Sequence, residues 1–454
     1  MMHSGIQFSY DDIAFAPAST AHGTYYDGEQ DEVENLDEYQ EGGHHPVHIH
    51  DRLGTQRYRV IHKLGHGAYG TVWLCRDHQL HRYVAVKVMT ADVSLDRVPE
   101  MSILKRLDQT NPGARHIALP LDSFAVYGPN GTHQCIVFPL LGQCVSPVLW
   151  QRLEHPGLVL RNLCHQAVLA LNCLHESGVG HGGETSTVLT AKKKSSKLYK
   201  LTTRADFRPS NILLKVSGLD GLSEDELLSQ IGYPEPGNVV ADHGGPLPPF
   251  SPRYLVPAAD MSRLDSKYLR EEVCLIRLGQ LYLESSPPPD LGTPENYLPP
   301  ERLVDDQKDR VGLSCDIWAL GCTLFEIRLQ TPLFHMLYGP DEVLDEMVSF
   351  FGKLPEPWWS RWEQHGDYRD EEGNMLRRRV DVDGEPYGID SVLRGDKSSM
   401  RTVDGVLRVV KTMEVPRDEV AALKALLLGI CAYAPEDRLC TGDILRAEWF
   451  KRCS

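Results

Sequence analysis

The sequence predicts an α+β protein with a β-rich first part and a mainly helical second part. Apolar and polar residues alternate from residue 58 to about residue 86, which is typical of half-buried strands. Further along, apolar residues recur at helical spacing in segments 160–175, 317–327 and 420–431. The 454 residues and the hydrophobic content of 41% allow one large two-lobed domain with extensions.

Composition and charge exclude several classes of protein. A net charge of −16 argues against a nucleic-acid binder, because such proteins gain affinity by neutralising phosphates. An acidic surface suits basic protein substrates, although ordinary solubility explains it equally well. The 11 cysteines lack CxxC spacing, so we expect neither zinc nor a disulfide framework, and we predict a protein of the cytoplasm or nucleus. The sequence begins without a leader pattern and has no run of about 18 apolar residues, which predicts no membrane association.

The chain divides into three regions. Residues 1–38 are acidic and poor in aliphatic side chains, and we predict a flexible tail there. Residues 39–142 hold the β-rich part with an N-terminal extension, and residues 143–454 hold the helical part. Four histidines lie close together near the start of the second region, but Pro46 interrupts any helical spacing and disfavours a metal site: His44, His45, His48 and His50.

A glycine-rich hairpin is the most informative motif of the β-rich part. Gly65, Gly67 and Gly70 let the backbone approach a phosphate without a Cβ in the way. The segment VAVK follows at 84–87 on a further strand, where Lys87 can reach the α- and β-phosphates of a nucleotide. Glycine turns alone are common, but their spacing to this lysine strand predicts a protein-kinase fold.

A helix is predicted over residues 98–107, with Pro99 at its start. Glu100 stands three residues before Ile103 on this helix. In kinases a glutamate at this place pairs with the lysine of the third strand, here Lys87. The alternative is a solvated helix glutamate.

The segment DFRPSNILL at 206–214 matches the kinase catalytic loop, with arginine in place of lysine. Phosphoryl transfer needs a carboxylate to accept the hydroxyl proton, a cation beside the γ-phosphate and an oxygen ligand for Mg²⁺. Asp206, Arg208 and Asn211 fit these three roles in that order. Architectural motifs follow at 299–301 and 316–321, and we expect Arg438 to form an ion pair with Glu301.

Five segments resemble the fungal SR-protein-kinase-like serine/threonine kinases of the CMGC group: GGHHPV at 42–47, YRVIHKLG at 58–65, VFPLLG at 137–142, LGTPENY at 291–297 and FGKLPEPWW at 351–359. The resemblance covers roughly residues 36–454. It implies a bilobal fold with a small β-rich lobe and a larger α-helical lobe. It also implies ATP, Mg²⁺ and Ser/Thr phosphorylation of protein substrates, with Arg/Ser-rich proteins as the candidate class. We expect a monomer.

The resemblance adds residue roles at the nucleotide. It implies that Val72 and Ala85 contact the nucleotide beside the glycines, that Phe138 is the gatekeeper and that Leu141 is a hinge contact. Residues 216–272 correspond to an insert of this family, which its Pro and Gly content predicts to be an extended surface segment.

Arg277 is the first departure from the family pattern. It stands in LIRLG at 275–279, where kinases carry the aspartate that binds Mg²⁺ between the β- and γ-phosphates. A guanidinium cannot ligate a metal, and Asn211 alone is a poor magnesium site. We therefore expect a weakened metal site in an impaired kinase, and the alternative is a pseudokinase that binds nucleotide or protein as a scaffold.

The second departure is an insertion at 183–205 that separates His181-Gly182 from Asp206, whereas the family pattern is H-G-D. If the insertion is part of the protein, it separates His181 from the catalytic loop that this histidine should support. The insertion is basic at KKKSSK, which suggests either a regulatory or targeting loop, or a retained intron in the gene model. The second interpretation is favoured.

Overall fold

The computed structural model describes residues 19–95, 104–145, 149, 153, 155–182, 207–242, 244–289, 291–304, 312–335, 339–376, 387–394, 398–403, 406–411 and 415–451. The chain forms two compact units. The first unit comprises 1–95, 122–137 and 232–259, and the second comprises 96–121, 138–231 and 260–454.

The strands in chain order are β1 (Thr24–Tyr26), β2 (Arg52–Leu53), β3 (Tyr58–Gly67), β4 (Gly70–Asp77), β5 (Arg82–Met89), β6 (Asp122–Gly128), β7 (Gly131–Pro139), β8 (Leu141–Cys144), β9 (Val179–Gly180), β10 (Ile212–Val216), β11 (Gly237–Ala241), β12 (Tyr254–Leu255), β13 (Leu269–Leu275), β14 (Tyr282–Leu283), β15 (Ser398–Val403) and β16 (Val406–Lys411).

The α-helices are α1 (Ala91–Leu95), α2 (Pro156–Glu176), α3 (Glu224–Ile231), α4 (Pro300–Leu303), α5 (Leu313–Leu329), α6 (Pro340–Phe351), α7 (Trp358–Arg361), α8 (His365–Tyr368), α9 (Ile389–Leu393), α10 (Arg417–Ile430), α11 (Thr441–Leu445) and α12 (Glu448–Lys451). In the described part of the chain, no helix is both long enough and apolar enough to cross a membrane.

The main sheet of the first unit has six strands in the order β2-β3-β4-β5-β7-β6. Alternate side chains of its strands point to one buried face, because successive residues of a strand face opposite sides of the sheet. The core on that face is formed mainly by valines and aromatic side chains: Val60, Trp73, Val84, Val86, Val88 and Val137. The strands predicted between residues 58 and 86 are confirmed as β3, β4 and β5, although runs of consecutive residues are buried in β3 and β4.

The flexible tail predicted for residues 1–38 is wrong from residue 19 onward. Strand β1 pairs antiparallel with β11, which pairs with β12 in a small three-stranded sheet. Four side chains of the acidic segment share a core with Val239 and Leu255: Tyr26, Val33, Leu36 and Tyr39. These widely spaced apolar residues find their partners about 200 residues further along the chain, so local composition gives no sign of their burial.

The segment 216–272 also differs from the extended surface segment that we predicted. It contains helix α3 and strands β11, β12 and β13. Residues 232–259 belong to the first unit, whereas the residues on either side of them belong to the second. The proline and glycine residues mark turns between short elements rather than a continuous extended run.

The core of the second unit is built around α2 and α5. Leu163, Val168 and Leu171 on α2 and Trp318 and Leu324 on α5 have almost no exposed surface. The three helical segments predicted from apolar spacing lie within α2 and α5 or coincide closely with α10, and those predictions are confirmed. The helix predicted over 98–107 lies mostly outside the described residues.

Strand β10 lies in the middle of a three-stranded sheet with β8 and β13. The β10 strand leads directly from the catalytic-loop motif, and β13 leads directly to Arg277. The antiparallel register pairs Ile212 with Leu275. This pairing therefore brings two distant motifs to the same end of one sheet.

Candidate active site

The glycine hairpin closes between β3 and β4. Its two strands stay paired up to the tip, where Gly67 pairs with Gly70 and Gly65 pairs with Val72. Gly70 has a φ of +151°, and a Cβ there would overlap the carbonyl oxygen of Val88. By contrast, a Cβ on Gly65 would meet no atom within 4 Å. The hairpin thus needs glycine at its turn and leaves open space above Gly65.

Four predicted nucleotide contacts lie on one face of the first unit. Val72 pairs with Gly65 on one side and with Lys87 on the other, while Leu74 pairs with Ala85. Directly opposed residues in antiparallel strands point to the same face, and so do residues two apart on one strand. Val72, Ala85 and Lys87 are all partly exposed, whereas the residues between them are buried. This face can accept a nucleotide, with Lys87 in the same row as Gly65.

Phe138 and Leu141 belong to the second unit. Phe138 lies near the end of β7 and is half-buried, and Leu141 begins β8, where it pairs with Lys215 of β10. Glu100 and Asp206 lie outside the described residues. Their roles stay predictions from the sequence.

Asn211 lies at the start of β10, after a single 3-10 turn formed by Pro209–Asn211. Its side chain is buried. Its main-chain N–H donates to the main-chain carbonyl of Arg208 at 2.9 Å. The main-chain carbonyl of Asn211 accepts a hydrogen bond from the main-chain N–H of Ile276, also at 2.9 Å. The residue predicted to ligate magnesium therefore lies beside the segment that carries Arg277.

Arg277 has a left-handed backbone, with φ 61° and ψ 45°, and its side chain is exposed. This conformation is uncommon outside glycine, and asparagine and aspartate are several-fold enriched in it. The backbone at 277 therefore has the shape that suits an aspartate, although the residue present is an arginine.

The donor set fits a phosphate better than a magnesium ion. Asn211 offers one carboxamide oxygen, and the Arg277 guanidinium has only N–H donors. Among the residues that the structure describes, no group of three or more His, Cys, Asp or Glu side chains is arranged to hold a metal ion. The weakened Mg²⁺ site therefore stays a prediction from the sequence.

A buried hydrogen-bond network holds the residues that flank the insertion. The Asp316 carboxylate, at the start of α5, accepts from the amides of His181 at 2.8 Å and of Gly182 at 3.2 Å. The His175 Nε2 lies 3.1 Å from the same carboxylate. Burial lowers the pKa of His181, whose Nε2 is 3.2 Å from the carbonyl of Ile276. The neutral ring thus links this network to the Arg277 segment.

Phe207 lies against His181, on the other side of the insertion. The two ring centroids are 5.7 Å apart, and the Thr323 hydroxyl donates to the Phe207 carbonyl at 2.7 Å. The separation of His181 from the catalytic loop that a literal placement predicts does not occur. The residues on either side of the insertion are thus anchored independently on α5.

The ion pair predicted between Glu301 and Arg438 is confirmed. The Arg438 guanidinium donates to both carboxylate oxygens, at 2.8 and 2.7 Å, and both side chains are buried. It also lies over the ring of Trp318, 5.1 Å from the centroid. This pair ties α4 to the turn before α11.

One buried pair in the first unit escaped the sequence analysis. Lys63 of β3 forms an ion pair with Glu34 of the N-terminal segment, and neither side chain is appreciably exposed. The only sequence signal is a lysine between apolar residues in a predicted strand. Its partner could not be identified while residues 1–38 were taken as a flexible tail.

Comparisons with known proteins agree with the sequence motifs. No protein-family model matches the chain. The protein kinase dsk1 of Schizosaccharomyces pombe is 36% identical over 157 residues, which are 33% of this chain and 29% of that protein. SRSF protein kinase 3 of Homo sapiens is 33% identical over 154 residues, which are 32% of this chain and 27% of that protein. These two matches thus span less than a third of the relatives' lengths.

A third relative matches almost end to end. The serine/threonine-protein kinase SRPK of Physarum polycephalum is 24% identical over 429 residues, which are 91% of this chain and 90% of that protein. Such a match covers the β-rich part, the insert and the helical part in one alignment. Together with the glycine hairpin, the lysine strand and the Glu301–Arg438 pair, these comparisons show that the chain is similar to protein kinases of the SRPK type.

Proposed function

We propose that the chain transfers the γ-phosphoryl group of ATP to serine or threonine hydroxyls of proteins, at a rate lowered by Arg277. The observation that carries the proposal is the row formed by Gly65, Val72 and Lys87 on three neighbouring strands. A row of this kind presents an ammonium group beside a glycine turn, and both can bind phosphate.

The resemblance to kinases supplies the residues that we propose for nucleotide binding. Gly65, Gly67, Gly70 and Lys87 bind its phosphates, and Glu100 orients Lys87. The base is contacted by a set of apolar side chains: Val72, Ala85, Phe138 and Leu141. Because these groups are fixed in strands, little ordering is needed when ATP binds.

Transfer itself depends on the catalytic loop. The Asp206 carboxylate accepts the proton of the substrate hydroxyl, and Arg208 stabilises negative charge on the γ-phosphate. Asn211 would supply one oxygen ligand to Mg²⁺, whose charge would stabilise the phosphates of the bound nucleotide. Replacing a carboxylate by Arg277 removes the main ligand but places a cation nearby. Two unit charges about 4 Å apart, at an effective dielectric constant near 20, interact by roughly 4 kcal/mol.

The substrates that we propose are Arg/Ser-rich proteins. The net charge of −16 attracts basic segments, and one relative carries SRSF protein kinase in its name. We further propose a monomer of the cytoplasm or nucleus that binds neither nucleic acid nor membranes. All ten cysteines in the described ranges are free thiols, which accords with a reducing compartment.

A second candidate is a pseudokinase that binds nucleotide or protein without transfer. Arg277 is the observation that favours it, because the described residues offer no replacement carboxylate cluster for a metal. The two candidates share the nucleotide face and differ only in turnover.

The test is transfer of labelled phosphate from ATP to a peptide of Arg-Ser repeats. We expect slow transfer that Lys87→Met abolishes, with Lys267→Met, an exposed lysine of the second unit, as the matched control. Transfer by both variants would point to a contaminating kinase. ATP binding without any transfer would establish the pseudokinase instead.

A further inference from the structure

The Glu34–Lys63 pair is unusually well buried. The Lys63 side chain has no exposed surface, and Glu34 retains 3%. One oxygen of Glu34 pairs with the ammonium, and the other accepts a hydrogen bond of 2.5 Å from the hydroxyl of Tyr39, which is itself buried. Burying two charges costs several kcal/mol per ion before their attraction is counted. A buried ion pair of this kind adds little net stability, but it can hold the residues around it in a defined position.

Lys63 lies at the base of the glycine hairpin. It pairs with Trp73 on β4, and its ammonium is 6.0 Å from the centroid of that ring. The indole N–H of Trp73 donates to the Thr71 hydroxyl at 2.8 Å. A chain of buried contacts therefore connects Glu34 through Lys63 and Trp73 to Thr71, which follows the turn glycine.

The register changes at this point of the hairpin. Lys63 pairs with Trp73, but Gly65 pairs with Val72, so Leu64 is an extra residue on β3. A bulge of this kind bends the strand and redirects the residues that follow it. Lys63 is the last paired residue before the bulge, and Gly65 is the first paired residue after it.

The main chain of Lys63 is held as well. Its carbonyl accepts from the amide of Ala259 at 2.8 Å, and its amide donates to Nδ1 of His62 at 2.8 Å. Glu34 and Ala259 lie in the N-terminal segment and the 232–259 segment, both outside the hairpin. Two distant parts of the first unit thus fix the same residue of β3.

We propose that Glu34 is a positioning residue for nucleotide binding: through Lys63 it sets the direction of the strand that carries the glycine hairpin to the phosphates. This inference rests on the proposed function, because it assumes that ATP binds on the face of Gly65 and Lys87. Glu34 acts only through Lys63, since its carboxylate is buried on the opposite side of the strand.

The test compares Glu34→Gln with the double variant Glu34→Gln/Lys63→Met. Glutamine keeps an acceptor for Tyr39 but leaves the ammonium buried without a carboxylate. We expect amide hydrogen exchange at residues 65–72 to accelerate about tenfold in the single variant without nucleotide, and ATP affinity to fall about tenfold. The double variant removes both charges, and both quantities should return to within about threefold of the unmodified protein.

The pH dependence gives a second readout. Burial lowers the pKa of the Lys63 ammonium well below its usual value, so a lysine without its carboxylate is neutral at alkaline pH. We therefore expect the exchange defect of Glu34→Gln to be larger at pH 6 than at pH 8.5. Glu34→Asp keeps the negative charge and is the variant that should fold most readily. We expect it to accelerate amide exchange in the hairpin by about threefold.

Asp345→Asn is the control for a general loss of stability. It breaks another buried pair, in which Arg369 donates to Asp345 at 2.6 Å in the second unit. It should lower Tm without changing exchange at 65–72. The proposal is overturned if Glu34→Gln lowers Tm alone and leaves hairpin exchange unchanged, as the control does. If the unmodified protein binds no ATP, the proposed function fails, but hairpin exchange still tests the positioning role.

Discussion

The rings of His181 and Phe207 meet edge to face, with centroids 5.7 Å apart, although residues 182–206 lie between them in the sequence. Each residue is also bound to α5, His181 through Asp316 and Phe207 through Thr323. The two ends of the insertion are therefore held in the second unit by contacts that do not involve the inserted residues.

Deleting residues 183–205 should leave the fold intact and raise stability. Closing a loop of roughly twenty residues costs about 2–3 kcal/mol of chain entropy, which the deletion removes. Thermal unfolding followed by circular dichroism should show an unchanged spectrum and a Tm that is equal or higher. A loss of cooperative unfolding would mean that the insertion is needed structurally.

Arg277→Asp in the deletion variant should raise phosphoryl transfer by orders of magnitude. The carboxylate restores a ligand for the bridging metal, and the left-handed backbone at 277 accommodates aspartate well. Arg277→Ala, which removes the cation without adding a ligand, is the matched control and should gain far less. If the unmodified protein already turns over at on the order of 1 s⁻¹ or faster, Arg277 does not limit the rate.

ATP binding should depend only weakly on magnesium. In the proposed function the glycine hairpin and Lys87 contact phosphate directly, whereas Arg277 stands in place of the main metal ligand. A thermal-shift titration with ATP should give similar shifts with and without Mg²⁺ in the unmodified protein. In Arg277→Asp the shift should become strongly magnesium-dependent, and a large dependence before the substitution would contradict this account.

Control by phosphorylation of the segment between Arg277 and Glu301 should be weak or absent. In kinases switched this way, an arginine directly before the catalytic aspartate pairs with the phosphate. Here the residue is Ala205, or Gly182 once the insertion is removed, and neither binds phosphate. Phosphatase treatment of the deletion variant should leave activity within about twofold. A tenfold loss that a double alanine substitution of Ser285 and Ser286 reproduces would show that another basic residue reads the phosphate.

Stability should fall as the pH drops from about 6.5 to 4. Burial lowers the pKa of His44 to about 4, with smaller contributions from His66 and His133. The unfolded chain therefore binds more protons than the folded one in this window, and the unfolding free energy decreases with decreasing pH. The loss attributable to His44 is on the order of 3 kcal/mol. Urea unfolding at pH 7, 5.5 and 4.5 should show a shallower decline for His44→Gln, and equal slopes would contradict the assignment.

The sequence predicted those parts of the fold that depend on neighbours in the chain. The glycine hairpin is a local turn, and α2 and α5 carry apolar residues at helical spacing, so both could be inferred without any knowledge of tertiary contacts. The Glu301–Arg438 pair is distant in sequence, but each partner lies in a recognisable motif.

The remaining features depend on contacts that no local pattern reveals. Tyr26 and Tyr39 lie within or next to an acidic segment, and they are buried in a cluster that includes the distant residues Val239 and Leu255. Lys63 was indistinguishable from an exposed strand lysine until Glu34 was placed beside it. The left-handed backbone of Arg277 is likewise a property of the surrounding turn and not of arginine.

The pairing of β1 with β11 has a consequence for synthesis on the ribosome. Thr24 pairs with Ala241, so the first strand emerges about 200 residues before its partner exists. At 5–20 residues per second this interval lasts roughly 10–40 s. During that time Tyr26, Val33 and Leu36 have no core to enter, and the nascent chain exposes them to chaperones and proteases. Translation speed across codons 27–240 therefore determines how long the N-terminal segment stays exposed before β11 is available for pairing.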